Sequence, residues 1–568
     1  YPAQATDRYL MWRKRGVEFM YLQGKHHMRN NWVRGPCKMG LMPANGLLYA
    51  PPHQCFCYPS AKLNGFNALS ANIKETSPNA GNTAGNVLEK GAAYGMAYEE
   101  DMAAGENEWP SFRRDNKRSG SIDDHLPVQF NKQWQKKLGG KLTQPVVVDE
   151  RLYVAQINRH RIYCFDSKSG QLHWTYTAGG RIDSPPTHYQ GRLLFGSHDG
   201  WVYCLDARQG EMIWRFRAAP SIRRIVAFNQ LESPWPVHGS ILVEDNVAYF
   251  AAGRSSYIDG GIHLYGLDPV TGEEQYHYRL EGPFPDLSES PGRPFDMKGA
   301  LPDVLVSQNG FIYMKDIKFN KKLERIETPQ ITQLGDKHTG LHLFSTSASG
   351  LLDDSWWDRK FWMYSKRWPG FYLGLNAPKT GQILSFDDSC TYAFKMFTER
   401  NVHSPFSKPG RGYLLYADKN DTEPILVGED GKPEPVKWLP QVNKRWADSE
   451  SWIGLEYSDQ AVNFEKGPGF SRPEPPLWKR WIPLRVRAMV LAGNALYIAG
   501  PPDIIDPDNP LAAYKGEKGM HLWVLSRESG EKISGYKLAS MPVYDGMAAA
   551  YGNLYLSMVD GRILCLGE

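Results

Sequence analysis

A histidine and two cysteines alternate near the start of the chain, in the stretch "PPHQCFCYPSA". Imidazole and thiolate both bind metals, so His53, Cys55 and Cys57 could form a metal site. In a strand, however, these side chains lie on one face about 7 Å apart, and zinc sites favour two residues between their cysteines. The alternative is a disulfide between Cys37 and one of the two cysteines, while the other thiol pairs with polypeptide before Tyr1. We predict the disulfides and no metal site.

A second group of reactive side chains occurs in "RRIVAFNQLESPWPVHGS", residues 223–240. The group comprises Arg223, Arg224, Glu232, Trp235 and His238. Arginine binds carboxylate or sulfate groups in a bidentate manner, an indole stacks on a sugar ring, and histidine can transfer protons. These residue types therefore indicate a site for an anion or a polysaccharide. The alternative is a structured loop held together by its own arginine–carboxylate pairs.

The next stretch, "AAGRSSYIDGGIHLYG", adds Arg254, Tyr257 and Asp259. In a β-elimination on a uronate, Arg254 would stabilise the enolate-like charge, and Tyr257 or His238 would move protons. Arg254, Tyr257 and His238 are therefore the candidate catalytic residues, and Asp259 is a candidate ligand-binding residue.

Two arginines alternate in "LRVRAMV", and an aspartate occurs in "VYDGMAA". Alternation places Arg485 and Arg487 on one face of a strand, where buried guanidinium groups need anionic partners. We predict that Asp545 is this partner. All three are further candidate ligand-binding residues.

The composition excludes several classes of function. The 66 basic and 62 acidic residues give a net charge of +4 over 568 residues, without the clustered basic excess of a nucleic-acid-binding protein. No apolar run approaches the roughly 20 residues of a membrane-spanning helix. The G-x-S-x-G, P-loop and H-E-x-x-H motifs are absent from the sequence. The first residues are not those of a signal peptide, so we expect Tyr1 to be internal to a longer product.

A repeat of about 40 residues organises the chain. Residues 151–176 and 191–216 share a pattern in which a Y-C pair is followed by an aspartate, a glycine and a tryptophan. The aligned residues are Asp166, Gly170 and Trp174 in one copy and Asp206, Gly210 and Trp214 in the next. Each copy predicts a four-stranded antiparallel sheet with a D-x-x-x-G turn. One such sheet cannot bury both of its faces, and stacking the sheets in a ring solves this.

Three cysteines occupy one position of this repeat: Cys164, Cys204 and Cys565. Other copies place glycine there, as at Gly266 and Gly374. A position that takes only these small residues indicates close packing inside a sheet. We therefore predict a structural role for the three thiols.

The repeat resembles the tryptophan-docking repeat of quinoprotein-type (PQQ-like) β-propellers. "EWPSFRRDNKRSG" (108–120) is similar to the opening segment of such propellers, and "DGRILCLG" (560–567) to the strand that it meets. The resemblance implies an all-β fold, a propeller of seven or eight blades with large insertions in its middle blades. It also implies that the ring closes by pairing 109–136 with 543–568.

The whole chain resembles the C-terminal part of large exported bacterial PQQ-like repeat proteins. This implies a strand-rich segment at 1–72 that ends a preceding propeller, a linker at 73–108, and the propeller at 109–568. It also implies a periplasmic or extracellular location. The expected partner is polypeptide N-terminal to Tyr1 or a separate protein.

PQQ itself is not predicted, although the family binds it. Quinoprotein alcohol dehydrogenases hold a disulfide of adjacent cysteines against the cofactor, and no two of the seven cysteines here are adjacent. A C-x-x-C-H haem motif is also absent. Calcium could bind the acidic stretch "PPDIIDPDNP", although a proline-rich turn explains it as well. We predict no cofactor.

Three functions fit these observations. The first, which we predict, is an exported binding or scaffold module without PQQ. The second is a carbohydrate-active enzyme, a polysaccharide lyase that uses the arginine, histidine and tyrosine candidates. The third is a quinone- or metal-dependent oxidoreductase. The fold alone does not choose among them, because propellers carry many chemistries.

Overall fold

The computed structural model describes a long C-terminal part and a shorter N-terminal part of the chain. The C-terminal part comprises 104–283, 299–328, 337–345, 362–368, 379–396, 412–421, 425–427, 433–435 and 476–568. The N-terminal part comprises 3–12, 17–25, 27–30, 32–33, 35, 40–51, 63, 65–71 and 88–96. His53 and the predicted disulfide cysteines Cys37, Cys55 and Cys57 lie outside these residues. In the described part, no helix has the length and apolar character that crossing a membrane requires.

Two small sheets form the N-terminal part. The first consists of β1 (Gln4–Ala5), β2 (Tyr9–Trp12), β3 (Val17–Tyr21) and β4 (His27–Asn30). The second consists of β5 (Met42–Ala44), β6 (Leu47–Ala50) and β7 (Asn67–Ser70). Three further strands come before the repeats: β8 (Leu88–Lys90), β9 (Ser121–Ile122) and β10 (Asn131–Lys137).

The repeats fold as successive antiparallel sheets, which we call blades and number in chain order. Blade 1 is β11 (Val146–Val148), β12 (Arg151–Gln156), β13 (Arg161–Asp166) and β14 (Leu172–Thr177), with a 3-10 turn at Ile157–Arg159. Blade 2 is β15 (Thr187–Tyr189), β16 (Arg192–Gly196), β17 (Trp201–Asp206) and β18 (Met212–Arg217). A hairpin of β19 (Ile225–Ala227) and β20 (Gln230–Glu232) follows. Blade 3 is β21 (Val237–Glu244), β22 (Val247–Ala252), β23 (Ile262–Leu267) and β24 (Glu274–Leu280).

Blades 4 to 6 are built in the same way. Blade 4 is β25 (Leu305–Gln308), β26 (Phe311–Met314), β27 (Ile317–Phe319) and β28 (Arg325–Ile326). Blade 5 is β29 (Lys337–Ser345), β30 (Trp362–Trp368) and β31 (Thr380–Gly381). Blade 6 is β32 (Ile383–Phe386), β33 (Cys390–Lys395), β34 (Tyr413–Lys419) and, after the hairpin β35 (Ile425–Val427) and β36 (Pro433–Pro435), β37 (Trp478–Ile482).

The last two sheets each include a strand from before the repeats. Blade 7 is β38 (Ala488–Ala492), β39 (Ala495–Gly500), β40 (Met520–Ser526) and β41 (Lys532–Leu538), and β9 joins it in parallel to β38. The closing sheet is β42 (Pro542–Ala550), β43 (Asn553–Met558) and β44 (Arg562–Gly567), with β10 antiparallel to β44. Because β42 also contacts β11 of blade 1, the sheets form a ring. The predicted all-β propeller is confirmed, and the described residues contain eight sheets of the ring.

Tryptophans hold neighbouring blades together. Each lies on the glycine of a turn in the next blade, D-x-x-x-G in three pairs and S-x-x-x-G at Gly530, and donates its indole N–H to a carbonyl of that turn. The pairs are Trp134 with Gly170, Trp174 with Gly210, Trp214 with Gly272, and Trp478 with Gly530. A Cβ added to Gly210 would lie 2.5 Å from the Trp174 ring, so no larger residue fits there. The repeat motif therefore encodes the contact between blades.

The buried cysteines lie inside these blades. Cys164, Cys204 and Cys565 are free thiols with at most 1% exposure. Burial raises the pKa of Cys164 to about 11, and the pKa of Cys565 to about 12. Both values leave the thiols protonated and unreactive, in agreement with a packing role.

The segment 107–122, which we call the crossing segment, differs from the prediction that 109–136 pairs with the last blade. Only β10 makes that pairing. The crossing segment instead runs across the propeller axis at the end where the first strands of the blades finish. Its backbone carbonyls accept hydrogen bonds from five blades, from the N–H groups of Val147, His188, Ser307, Phe386 and Leu491. The segment consists largely of turns, and its polar backbone is satisfied in this way by the surrounding blades.

Part of the predicted linker also packs on the propeller. Strand β8 pairs with β18 and adds a fifth strand to the outer edge of blade 2. Ala93, a few residues later, is fully buried in the core between blades 2 and 3. This pairing covers an edge that would otherwise expose unpaired backbone groups.

Candidate functional site

A charged cluster lies at the end of the propeller axis where the first strands begin, opposite the crossing segment. It comprises Arg181, Asp183, His198, Glu232, His238 and Arg254. Residues 181 and 183 belong to the connection from blade 1 to blade 2, and Glu232 ends the hairpin that connects blade 2 to blade 3. His238 is the second residue of β21, while His198 and Arg254 follow the second strands of their blades. Two connections, the start of one strand and two turns therefore position the cluster.

Asp183 links the two histidines. Its Oδ2 atom lies 2.9 Å from His198 Nε2 and 2.8 Å from His238 Nδ1. The imidazole rings meet edge to face, with centroids 4.6 Å apart. Asp183 Oδ1 accepts a hydrogen bond from Ser184 Oγ at 2.7 Å. One carboxylate thus orients both rings.

Glu232 anchors the other side of His198. Its fully buried carboxylate lies 2.9 Å from His198 Nδ1, 3.1 Å from Arg181 Nη1 and 2.6 Å from Arg254 Nη2. A buried carboxylate is stable only with such partners. Burial alone would raise the pKa of Glu232, but the hydrogen bonds and charges of His198 and Arg254 outweigh burial and bring the pKa to about 2.

The two histidines differ in their electrostatic environment. Burial lowers the pKa of His198, but its two flanking carboxylates outweigh this effect and raise the pKa. Burial also lowers the pKa of His238, and Asp183 offsets this only in part. Burial would raise the pKa of Asp183, whose side chain is 15% exposed, but the two histidines hold that pKa well below the usual range.

The cluster remains partly open. The side chains of His238 and Arg254 are 15% and 18% exposed. Within the described residues, His238 Nε2 has no hydrogen-bond partner, and neither does Arg254 Nε. An imidazole held through Nδ1 by a carboxylate can bind a ligand or transfer a proton through its other nitrogen.

A β-hairpin, residues 222–232, rises beside the cluster, and we call it the rim hairpin. Its apolar side chains Ile222, Val226, Phe228 and Leu231 are 65–76% exposed. The guanidinium of Arg181 lies 4.1 Å from the centre of the Phe228 ring. The rim hairpin therefore combines exposed apolar side chains with the buried carboxylate of its last residue, Glu232.

The remaining predicted residues of this region hold the loop in place. Arg223 forms an ion pair with Asp259 and lies over the Trp235 ring, 5.1 Å from its centre. Trp235 is buried and donates its indole N–H to the Asp259 carbonyl at 2.8 Å. Arg224 donates to the Asp199 carbonyl at 2.8 Å. These four residues correspond to the structured loop that was the alternative interpretation of this stretch.

Tyr257, the third predicted catalytic residue, lies against the N-terminal part of the chain. Its ring stacks on Trp32, with centroids 6.5 Å apart and planes at 16°. Burial raises the pKa of Tyr257 to about 12, so its hydroxyl stays protonated at neutral pH.

The predicted bridge between Asp545 and the two arginines of blade 7 is replaced by another ion pair. The carboxylate of Asp545 lies 2.5 Å from Nη1 of Arg113, a residue of the crossing segment. Arg487 donates Nε to the Pro542 carbonyl at 3.2 Å, and the guanidinium of Arg485 lies 4.9 Å from the centre of the Tyr514 ring. Arg113 reaches Asp545 because the crossing segment runs under the blades, which sequence spacing could not indicate.

Sequence reasoning found Glu232, His238 and Arg254 and missed Asp183 and His198. The repeat contained the missing signal. His198 in "SHDG" and Arg254 in "GRSS" are each the second residue after the second strand of their blades. Asp183 and His238 both lie close to the beginning of a first strand. Aligning the turns as well as the strands of the repeat would have marked His198 as equivalent to Arg254, but the alignment does not show that His198 contacts Asp183 and Glu232.

Part of the chain matches one protein-family model. Residues 120–318 match the family model described as "Outer membrane protein assembly factor BamB". No curated protein sequence matches the chain significantly. Among solved structures, the quinohemoprotein alcohol dehydrogenase from Comamonas testosteroni is 12% identical, with 83% of this chain and 82% of that chain covered and a TM-score of 0.45.

Two further solved structures are similar at the same level. BamB from Moraxella catarrhalis is 11% identical, covering 78% of this chain and 98% of that one, with a TM-score of 0.40. A europium-containing methanol dehydrogenase is also 11% identical, covering 80% and 90%, with a TM-score of 0.42. The match of 120–318 agrees with the predicted resemblance to PQQ-like β-propeller repeats, and the docked tryptophans and the ring of sheets show the β-propeller fold.

Proposed function

We propose that the chain is an exported binding or scaffold module that works without PQQ and captures an apolar, acidic segment of another polypeptide on the rim hairpin. The observation that carries this proposal is the exposure of four large apolar side chains on one hairpin, 65–76% each. Soluble proteins rarely expose a contiguous apolar patch without a binding role.

The backbone of the rim hairpin suits a polypeptide ligand. Its two strands form a sheet of their own, and no third strand joins it among the described residues. An open strand edge can pair with an extended segment, and the alternate side chains of that segment then contact the apolar patch. Arg224 is exposed next to the patch, and its guanidinium donates to a backbone carbonyl, which favours acidic side chains in the ligand.

The family match supports the same interpretation. The matched model describes an assembly factor of outer membrane proteins, and the matched residues 120–318 include the rim hairpin. A protein that assists assembly must contact other polypeptides. We extend the description to export of this chain and to a protein partner.

Two observations support a function without PQQ. Within the described part, the four free cysteines are Cys164, Cys204, Cys390 and Cys565, and no two of them are adjacent in sequence, so they form no adjacent pair against a cofactor. Arg113 and Asp545 form a buried ion pair between the crossing segment and the closing sheet, so neither charge is open to a cofactor. The lyase alternative is not favoured, because Arg254 already binds Glu232 and Tyr257 stacks on Trp32.

A peptide selection tests the proposal. A displayed library of random 12-residue peptides is selected on the full chain and counter-selected on the variant Val226→Asp/Phe228→Asp/Leu231→Asp. We expect enriched peptides that combine aromatic or aliphatic residues with Asp or Glu. In fluorescence anisotropy, the triple variant should bind them at least 10-fold more weakly.

The matched control is Ile533→Asp, which changes another half-exposed apolar side chain on the outer strand of blade 7. This control should bind the peptides like the unchanged chain. Vesicles of anionic phospholipid provide the contrary outcome. If the chain sediments with them through the rim hairpin and no peptide is enriched, the surface binds membranes, and the proposed polypeptide ligand is wrong.

A further inference from the structure

We propose that Asp183, His198 and His238 bind one divalent transition-metal ion, with zinc as the expected ion. The ligand atoms Asp183 Oδ2, His198 Nε2 and His238 Nδ1 all lie within 4.8 Å of one another. Three separate elements supply them: a connection, a turn and the start of β21. This site goes beyond polypeptide capture and uses none of the apolar residues of the rim hairpin.

The distances match those of ligands around a single ion. Metal–ligand bonds of about 2.0–2.2 Å place neighbouring ligand atoms about 3 Å apart. Asp183 Oδ2 lies 2.9 Å and 2.8 Å from the two imidazole nitrogens. A small movement of the side chains would let an ion sit between them. Three protein ligands leave a position for water or for a bound molecule.

The residue types select the metal. Two imidazoles and one carboxylate are typical ligands of zinc and of non-haem iron, whereas calcium and magnesium prefer a full set of oxygen ligands. The sequence offers no oxygen-rich loop at this place, since Asp183 is followed by "SPP" and His198 by "DG". The site therefore favours a transition metal over calcium.

A second carboxylate supports the ligands. Glu232 Oε2 lies 2.9 Å from His198 Nδ1, so it can accept the proton of that nitrogen and turn Nε2 towards the ion. Ligating histidines are commonly oriented by such a carboxylate. Arg181 and Arg254 hold Glu232 in turn. Glu232 is therefore a positioning residue for the metal site.

A proton can replace the metal in this arrangement. If both nitrogens of His198 carry protons, the imidazolium bridges Asp183 and Glu232 without any ion. Protons and metal ions compete for the same lone pairs, so metal binding should release protons. The two possibilities make opposite predictions for metal titrations.

The test titrates the full chain, dialysed against chelator and then against buffer, with Zn²⁺ alone. Calorimetry and elemental analysis should show one more bound zinc ion per chain than in His238→Asn or Asp183→Asn. In both variants the affinity of this ion should fall at least 100-fold. Ca²⁺ at the same concentrations should give no heat from this site.

The matched control is His277→Asn. His277 Nε2 lies 3.0 Å from His263 Nδ1 on blade 3, so this variant disrupts another close histidine pair. It should keep the affinity and the stoichiometry of the unchanged chain. Circular dichroism of every variant checks folding, and the partly exposed His238 is the variant position that best tolerates change.

Cobalt gives a readout that folding alone would not change. Co²⁺ bound to two imidazoles and a carboxylate should give visible absorption bands, and His238→Asn should remove them. Glu232→Gln should bind 10- to 100-fold more weakly with bands of unchanged shape, as expected of a positioning residue. Equal zinc stoichiometry in the unchanged chain, His238→Asn and Asp183→Asn would overturn the proposal and leave the imidazolium bridge.

Discussion

The two ends of the propeller axis both contain buried charges, but they use them differently. At the closed end, the crossing segment brings Arg113 and Arg118 into the interior, where they donate to backbone carbonyls and, for Arg113, to Asp545. At the open end, the charged cluster shares two carboxylates among two histidines and two arginines. Among the described residues of the open end, His238 is partly exposed and its Nε2 has no hydrogen-bond partner.

This difference distinguishes buried charged groups that stabilise the fold from partly exposed groups that can bind a ligand. Arg118 is fully buried, and burial lowers its pKa to about 10, yet it stays protonated and bound to the loop that it closes. Such fully buried groups fix one conformation and are not accessible to a ligand from solvent. His238 has the opposite character, because one of its nitrogens is held and the other is available. Burial of charge alone does not mark a site, whereas a fixed and partly exposed group does.

The largest expected effect is at the closed end. Arg113→Met should lower the free energy of unfolding by about 3–5 kcal/mol, because Asp545 is left as an unpaired buried charge. Chemical denaturation measures the loss. The double variant Arg113→Met/Asp545→Leu should recover part of it. A loss below about 1 kcal/mol in Arg113→Met would contradict the expectation that breaking an ion pair costs most at the closed end.

The next largest effect is expected at Glu232. Glu232→Gln should lower the free energy of unfolding by about 2–3 kcal/mol, because two arginines and His198 lose their shared anion. The effect should be smaller than at Arg113, since the side chain of Arg254 is 18% exposed and can reach water. Denaturation at neutral pH in the presence of chelator measures it. An effect larger than that of Arg113→Met would reverse the comparison.

Lowering the pH should reduce the free energy of unfolding through His188, which contacts the crossing segment at the closed end. This residue of blade 2 is 5% exposed, its backbone N–H donates to the crossing segment, and burial lowers its pKa to about 4. The unfolded chain, with a pKa of about 6.5 for this group, binds the proton first. Stability is therefore complete above pH 6.5 and falls as the pH drops towards 4, by about 2 kcal/mol at pH 5.

The variant His188→Gln isolates this contribution. Between pH 7.5 and pH 5, the unchanged chain should lose about 2 kcal/mol more of its free energy of unfolding than this variant loses. Parallel curves for the two proteins would show that His188 is not responsible. Thermal melts at four pH values give the measurement.

The smallest effect is expected at His238. His238→Asn should lower the free energy of unfolding by less than about 1 kcal/mol, because its side chain is partly exposed and the amide can still donate to Asp183. Comparison with Glu232→Gln in the same buffer sharpens the contrast within the cluster. A loss as large as at Glu232 would mean that His238 stabilises the fold more than it serves a ligand.

Much of the architecture followed from local patterns. The spacing of Asp166, Gly170 and Trp174 predicted the blades, because the turn and the docked indole are contacts between residues at fixed repeat positions. The same reasoning placed Cys164 and Cys204 in the interior. The path of 109–120 could not be predicted in this way, since its partners are single carbonyls and N–H groups on five separate blades.

The candidate site shows the same division. The sequence by itself determined the residue types of the connection between blades 2 and 3, and with them Glu232, His238 and Arg254. Only the tertiary structure decided that Asp183 and His198 of blade 2 meet them, and that Asp545 meets Arg113 instead of the arginines of blade 7. The physical reason is that repeat spacing encodes contacts between equivalent positions. Which charges meet near the axis depends on where connections from different blades converge, and no spacing along the chain records that.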